Sequence, residues 1–163
     1  MTVDRLLAHH LARSADLVAA AAQLPDAALD RVLRPGLVIV WFDGEEPSAR
    51  HLAEGVVHAV EVWVAAMDGL PQPVDVRGDW PRRLELAGAA FTRIATALRS
   101  RDGWDDAFVD ALCEPPQAFT YGGAVAHVLS YGGVRREALA GVLAELGAPE
   151  PATHADPLAW EMD

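Results

Sequence analysis

One long stretch, residues 119–147, constrains the fold more than any other part of this chain. Its apolar positions recur at about 100° per residue, which is typical of an amphipathic helix that packs on one side. Gly147 is suited to cap such a helix, and Pro149 cannot continue it. The stretch therefore predicts a single long helix. Its apolar arc consists of Val125, Val128, Leu129, Leu139, Val142, Leu143 and Leu146.

A polar line follows the flank of this predicted helix. His127, Tyr131 and Arg135 are spaced i, i+4 and i+8, so their side chains stack at the edge of the apolar arc. Gly132 and Gly133 lie between them, although a helical glycine costs about 1 kcal/mol relative to alanine. Two interpretations stay open: a second helix crosses closely at the glycines, or they leave space beside Tyr131 for a ligand.

Three further long helices precede it. They are predicted over residues 2–24, 48–67 and 80–101, with Thr2, Ser48 and Asp79 as candidate N-caps. Short extra helices are expected over residues 25–33 and 104–112.

Two connecting segments are predicted to be extended. The apolar run at residues 37–42 is strand-like, and we expect it to lie over the end of the helices with Trp41 and Phe42 as plugs. Residues 70–79 contain two prolines, and ten residues reach at most ~35 Å. This length allows a long crossover that leaves the second and third long helices parallel.

Length and charge narrow the class of protein. The chain has 163 residues, which suits one domain, and its formal net charge is −11. Without a basic stripe or a long apolar run, binding to nucleic acid or membrane is not expected. Cys113 is the single cysteine, so no internal disulfide forms, and a cytoplasmic location is expected. Glu114 beside it disfavours a reactive thiolate.

Three stretches carry a resemblance to a known family. They are residues 6–9, which read LLAH; residues 47–69, in which His58 precedes Glu61 by three positions; and residues 126–147. Together they resemble the DinB/YfiT-like family of four-helix-bundle proteins. The resemblance implies an all-α four-helix bundle of DinB/YfiT-like type, with a long crossover between helices 2 and 3 and short extra helices. It spans one domain over residues 1–163, on which the acidic tail, residues 149–163, is expected to pack.

The family typically holds one divalent metal, such as zinc, nickel or manganese, with a helix-two histidine and an HxxxH pair. His58 matches the first ligand, but Tyr131 and Arg135 stand where the HxxxH histidines should be. Arg136 matches the arginine that follows the motif, and His127 matches a histidine one turn earlier. A guanidinium has no lone pair to give and repels cations, so the resemblance combined with these substitutions predicts no bound metal. A rebuilt site would use His58, His127, Glu54 and Glu61.

Three functions remain open, and whether the protein is an enzyme is not decided. The first is a metal-free protein or enzyme that binds a small polar or anionic molecule between helices 2 and 4. His58, Tyr131 and Arg135 would line that pocket, with His58 as a general base and Arg135 as an anion clamp. The second is a metal-dependent thiol S-transferase-like enzyme, as the family resemblance implies. The third is a non-catalytic bundle for assembly, in which Arg135 pairs with Glu61 or Glu54. A homodimer is plausible in each case.

Overall fold

The computed structural model of the protein describes residues 2–73 and 78–162, and this part of the chain is mostly helical. Within it there are six helices and one two-stranded sheet. The helices are α1 (Val3–Ala22), α2 (Asp26–Leu29), α3 (Ala49–Met67), α4 (Trp80–Ser100), α5 (Tyr121–Glu145) and α6 (Pro157–Trp160). The strands are β1 (Ala107–Asp110) and β2 (Gln117–Thr120).

The four long helices pack pairwise around one apolar core. α1 contacts α4 and α5, and α3 contacts the same two helices. Each buries its apolar face, as the periodicity predicts. The largest fully buried apolar side chains come from all four helices: Leu17, Leu52, Val57, Phe91, Leu98, Leu139 and Val142.

Helix ends follow local capping chemistry at most positions. The hydroxyl of Thr2 and the carboxylate of Asp79 accept hydrogen bonds from the backbone N–H groups of Arg5 and Arg82, as expected of N-caps. Ser48 occupies the N-cap position of α3, but its side chain does not cap the helix. Its hydroxyl lies 2.9 Å from Nδ1 of His51 instead. Gly147 follows α5 with a positive φ of 78°, as predicted for a glycine just past the helix end.

The crossover between α3 and α4 leaves these two helices parallel. Arg83, near the start of α4, pairs with Glu54 in the first half of α3. Arg93, ten residues on, pairs with Asp68 just past the end of α3. Both helices therefore advance in the same direction, as the length of the linker predicts. Part of that linker, residues 74–77, lies outside the described residues.

The prediction for residues 37–42 is wrong. This segment forms bends and a turn rather than a strand, and only Val40 is buried. Trp41 is 84% exposed and Phe42 57% exposed, so neither plugs the end of the helices. Their rings contact each other edge to face, 5.4 Å apart. The loop instead turns inward at Glu46, which is buried, so the polar residue takes the place expected for the aromatic ones.

The predicted short helix at residues 104–112 is also wrong. Ala107–Asp110 pairs antiparallel with Gln117–Thr120, and Phe108 faces Phe119 across the hairpin. Phe108 and Asp110 are buried whereas Ala107 and Val109 are exposed, which is the period of two that a strand requires. α5 consequently begins at Tyr121 rather than at Phe119, and Thr120 caps it by accepting from the N–H of Gly123.

The end of the C-terminal segment contacts α1. The ring of Trp160 lies 5.5 Å from that of His9, and the guanidinium of Arg5 lies 5.0 Å from the Trp160 ring. Earlier in the segment, the backbone carbonyl of His154 lies 2.8 Å from Nε2 of His9. We call residues 153–161 the C-terminal strap. No helix in the described part of the chain is long and apolar enough to cross a bilayer.

Candidate functional site

The polar line on α5 begins with two rings that contact each other at an angle of 39°. The ring centroids of His127 and Tyr131 are 4.6 Å apart. His127 also contacts Trp63 of α3, and the centroids of these two rings are 4.9 Å apart. Burial lowers the pKa of His127; the charge of Arg135 acts in the same direction and that of Asp43 opposes it. His127 is therefore a neutral, aromatic-packed side chain between α3 and α5.

Arg135 ends the line and is the largest fully buried side chain of the described residues, at 1% exposure. Its Nε and Nη2 donate to the two carboxylate oxygens of Glu46 at 2.6 and 2.7 Å, which is a bidentate pair. Nη2 also donates to Asp43 at 2.8 Å, and Nη1 donates to the carbonyl of Gly55 at 3.3 Å. Burial alone lowers the pKa of Arg135, but the hydrogen bonds and charges of Glu46 and Asp43 outweigh it and raise that pKa.

The expected partners of Arg135 are therefore wrong. Glu54 and Glu61 both bind Arg83 of α4, at 2.6 and 2.7 Å from its Nη2. The indole N–H of Trp80 donates to Glu54 as well, at 2.7 Å. Hydrogen bonds to Arg83, and then the bond from Trp80, lower the pKa of Glu54 against the effect of burial. Two carboxylates on one face of α3 thus hold the start of α4, while Arg135 draws its counterions from the loop.

Gly55 is a part of the site that the sequence interpretation missed. A Cβ atom at this position would lie 2.7 Å from both Nε of Arg135 and Oε2 of Glu46. Only a residue without a side chain leaves α3 close enough for its carbonyl to accept from the guanidinium. The available signal was a glycine in the interior of a predicted helix, where it is costly unless close packing requires it.

The alternative metal site is not assembled in the structure. Among the described residues, no three or more histidine, cysteine, aspartate or glutamate side chains are grouped so that they could hold a metal ion. Glu54 and Glu61 are engaged with Arg83, and His127 is enclosed by aromatic rings. His58 retains a contact of 3.7 Å between its Nδ1 and Oε2 of Glu61.

Two adjoining spaces meet at Arg135. The space between α3 and α5, where His58, Tyr131 and Arg135 were expected to form a pocket, encloses only about 30 Å³. That is room for about one water molecule. A wider cleft of about 330 Å³ opens between α3 and residues 42–46, with Arg135 at its base. It is lined by Phe42, Asp43, Glu45, Glu46, His51, Glu54, Gly55, His58 and Arg135.

Gly132 and Gly133 on α5 have different surroundings, so close helix packing accounts for only one of them. Gly132 lies against the ring of His10 on α1, so close that an added Cβ would collide with that ring. Close helix packing therefore explains Gly132. An added Cβ at Gly133 would meet only Nη2 of Arg136, at 3.8 Å, so no close neighbour requires a glycine there. The same crossing buries His10 and Arg136, which contact each other.

Cys113 does not show the environment of a nucleophile. Its thiol donates to the Asp110 carboxylate at 3.3 Å. Burial, and then the hydrogen bond and charge of Asp110, raise the pKa of this thiol.

The fold and the site define a mostly helical protein in which α5, α3 and the loop before α3 meet at a buried arginine–carboxylate cluster beside an acidic cleft. The chain matches no protein-family model, no curated protein and no solved structure.

Proposed function

We propose that this protein is a metal-free member of the DinB/YfiT-like group, built as a four-helix bundle, which binds a small polar molecule carrying a positive charge. The proposed binding site is the cleft between α3 and residues 42–46. The resemblance in sequence and the pairwise packing of the four long helices support the family. The charge of the cleft supports the ligand.

One observation carries the choice of ligand: Arg135 is already neutralised. Arg135 donates two hydrogen bonds to Glu46 and one to Asp43, and these two carboxylates offset its positive charge. Little of that charge remains to bind an anion. Glu45 adds another carboxylate to the cleft, where no second cation is present among the lining residues. A cleft with this excess of carboxylates attracts cations and repels anions. A cationic ligand therefore fits the site better than the anionic one that the sequence suggests.

The other lining groups suit the same chemistry. Phe42 lines the cleft, and the ring of Trp41 contacts the ring of Phe42 edge to face. The two rings form an aromatic surface at the rim of the cleft. An ammonium or guanidinium group is attracted to the face of such rings. His51 and His58 add ring nitrogens that can exchange hydrogen bonds with polar parts of the ligand.

A ligand screen by thermal shift tests the proposal, with small amines compared with carboxylates of equal size. We expect amines to raise the melting temperature saturably. Glu45→Gln should weaken the best amine by up to about fivefold, since an ion pair with an exposed carboxylate contributes roughly 1 kcal/mol or less. The matched control is Glu85→Gln, which removes an exposed glutamate of α4 that pairs with Arg82 outside the cleft. Amines that do not bind, or that bind equally well to Glu45→Gln, would refute the cleft as their site.

Elemental analysis of untagged protein tests the absence of metal. Near-stoichiometric zinc, nickel or manganese that is lost on His58→Ala would favour the thiol S-transferase-like alternative. Turnover with a low-molecular-weight thiol would then be expected.

A second candidate is a non-catalytic bundle, and the saturation of Arg135 favours it. Four hydrogen bonds to protein acceptors leave the guanidinium with a complete structural role. In that case no amine or carboxylate in the screen raises the melting temperature. Sedimentation equilibrium of the full chain should then show self-association.

A further inference from the structure

Two buried arginines lie at the seam between α1 and α5, whereas the acidic cleft lies between α3 and residues 42–46. Arg13 is 6% exposed and Arg136 is 8% exposed. Arg13 donates through Nη1 to the carbonyl of Thr153, at 2.7 Å. Arg136 donates through Nη1 to the carbonyl of His10, at 3.1 Å, and also contacts the ring of His10. Within residues 2–73 and 78–162, no carboxylate lies within ion-pair distance of either guanidinium.

Each of these arginines also has an unused donor. Nε of Arg13 and Nε of Arg136 are buried and have no hydrogen-bond partner in the described part of the chain. Buried charges are ordinarily paired, because an isolated ion loses several kcal/mol of hydration on burial. Arg135 on the same helix shows what full pairing looks like here, with two carboxylates and a carbonyl. The two seam arginines differ from it because neither has a carboxylate within ion-pair distance in the described part of the chain, although the charge of Glu137 acts on Arg136.

The two guanidiniums belong to one electrostatic site. Arg136 contacts His10, which lies three residues before Arg13 and so one turn away on the same face of α1. Burial lowers the pKa of Arg136 to about 10; Glu137 opposes this, and the nearby charge of Arg13 adds to it. Burial, followed by the charge of Arg136, lowers the pKa of His10 to about 3, so that ring is a neutral neighbour.

We infer that the seam between α1 and α5 is a binding site for a small oxyanion of the phosphate class, held by the forks of Arg13 and Arg136. Two planar guanidiniums match the spaced oxygens of such an anion and supply charge-assisted hydrogen bonds. The anion replaces the carbonyl of Thr153 as the hydrogen-bond acceptor of Arg13. Its oxygens accept hydrogen bonds from the two unused Nε–H groups. The C-terminal strap lies over Arg13, whose Nη1 donates to the carbonyl of Thr153, and this cover suits a free ion rather than a membrane surface.

Calorimetric titration of inorganic phosphate into the full chain, at constant ionic strength set with sodium chloride, tests this site. We expect saturable binding near one ion per chain and a rise in melting temperature that chloride does not produce. Arg13→Gln and Arg136→Gln should each weaken phosphate binding at least tenfold. The matched control is Arg93→Gln, which removes an exposed arginine that pairs with Asp68 on the far side of α4 and should leave binding unchanged.

Arg13→Lys provides a second comparison if Arg136→Gln does not fold. It keeps the charge but removes the fork, so phosphate should bind more weakly than in the parent and more tightly than in Arg13→Gln. Absence of saturable binding, equal binding by the seam variants and Arg93→Gln, or an equal effect of chloride would each overturn the site. Glu45→Gln should not change phosphate binding, so this test and that of the cleft fail independently.

Discussion

At the scale of single residues, Arg135 donates two hydrogen bonds to the carboxylate of Glu46 in the interior. Removing either side chain leaves the other as a buried charge without this partner. We predict that Arg135→Ala lowers the free energy of unfolding by about 3–5 kcal/mol, with a similar loss for Glu46→Gln. Urea denaturation measures both. The control is Arg93→Ala, whose exposed pair with Asp68 should contribute less than about 1 kcal/mol. A loss below 1 kcal/mol for Arg135→Ala would contradict a structural role for the pair.

Two glycines on the helices that frame the site should respond in opposite directions to alanine. Gly55→Ala places a methyl group 2.7 Å from the Arg135–Glu46 pair, so we expect a loss of about 1–3 kcal/mol through overpacking. Gly133→Ala meets only ordinary contact at 3.8 Å and should stabilise α5 by about 0.5–1 kcal/mol. Melting temperatures of the two variants provide the measurement. Equal and small effects would show that α3 does not need to approach the guanidinium.

His10 should make folding stability depend on pH. Burial holds its pKa at about 3 in the folded protein, below the ordinary value of 6.5. The unfolded chain therefore binds a proton on His10 as the pH falls below 6.5, while the folded chain stays neutral until about pH 3. Its contribution to stability is complete above pH 6.5 and declines by about 1.4 kcal/mol per pH unit as the pH falls through that window.

The His10→Gln variant isolates this contribution. We expect its unfolding free energy, from urea titrations between pH 7.5 and 5, to fall less steeply with pH than that of the parent. The two slopes should coincide above pH 7. Parallel slopes over the whole range would show that the folded protein admits a charged His10.

Part of the site was predictable from the sequence, and the remainder was not, for a definite reason. The spacing of His127, Tyr131 and Arg135 predicted that they lie on one flank of α5, and the rings of the first two do contact each other, with centroids 4.6 Å apart. The partner of Arg135 is Glu46, 89 positions away in an irregular loop, and no periodicity connects the two. Helical spacing favoured Glu54 and Glu61 because it considers only residues on regular elements.

At the scale of elements, long amphipathic helices were predictable and short elements were not. A periodic apolar face over about twenty residues is recognisable even when single positions depart from the pattern. The ends of α1, α3, α4 and α5 were therefore predicted to within a few residues. The strand Ala107–Asp110 has only four residues, too few to separate a period of two from one of 3.6. Its partner Gln117–Thr120 follows two prolines, and the last two residues of this strand were included in the helix predicted over residues 119–147.

The C-terminal strap is an element whose attachment can be tested separately. Trp160→Ala removes the ring that contacts His9 and Arg5. We expect residues 153–161 to exchange amide hydrogens at least tenfold faster, because a terminal segment with few apolar contacts opens locally. Exchange of α3 should not change. The control is Trp41→Ala, an exposed ring on another loop, and unchanged exchange in Trp160→Ala would show that the backbone bonds alone hold the strap.

At the scale of the whole molecule, three polar contacts centred on arginines connect the long helices to one another and to the loop before α3. Arg83 joins α3 to α4, Arg135 joins α5 to the loop before α3, and the contact between Arg136 and His10 joins α5 to α1. These pairs connect elements that are distant in sequence, so they specify which helices are neighbours. The family relationship proposed above requires that a guanidinium takes the place of the metal ion within a retained bundle architecture.

The reverse substitution examines whether that architecture is retained. In Tyr131→His/Arg135→His, two imidazoles at i and i+4 face the carboxylates of Glu46 and Asp43, which the guanidinium no longer occupies. Imidazoles and carboxylates are the ligands that zinc accepts, so we expect one zinc per chain, bound at least a hundredfold more tightly than by the parent. Tyr131→His alone is the matched control and should not bind zinc, because the cation of Arg135 stays in place. Calorimetry measures the affinities, and circular dichroism confirms folding. A folded double variant that binds no zinc would show that α5 and the loop are not positioned as in a metal-binding bundle, and the proposed family relationship would lose its structural support.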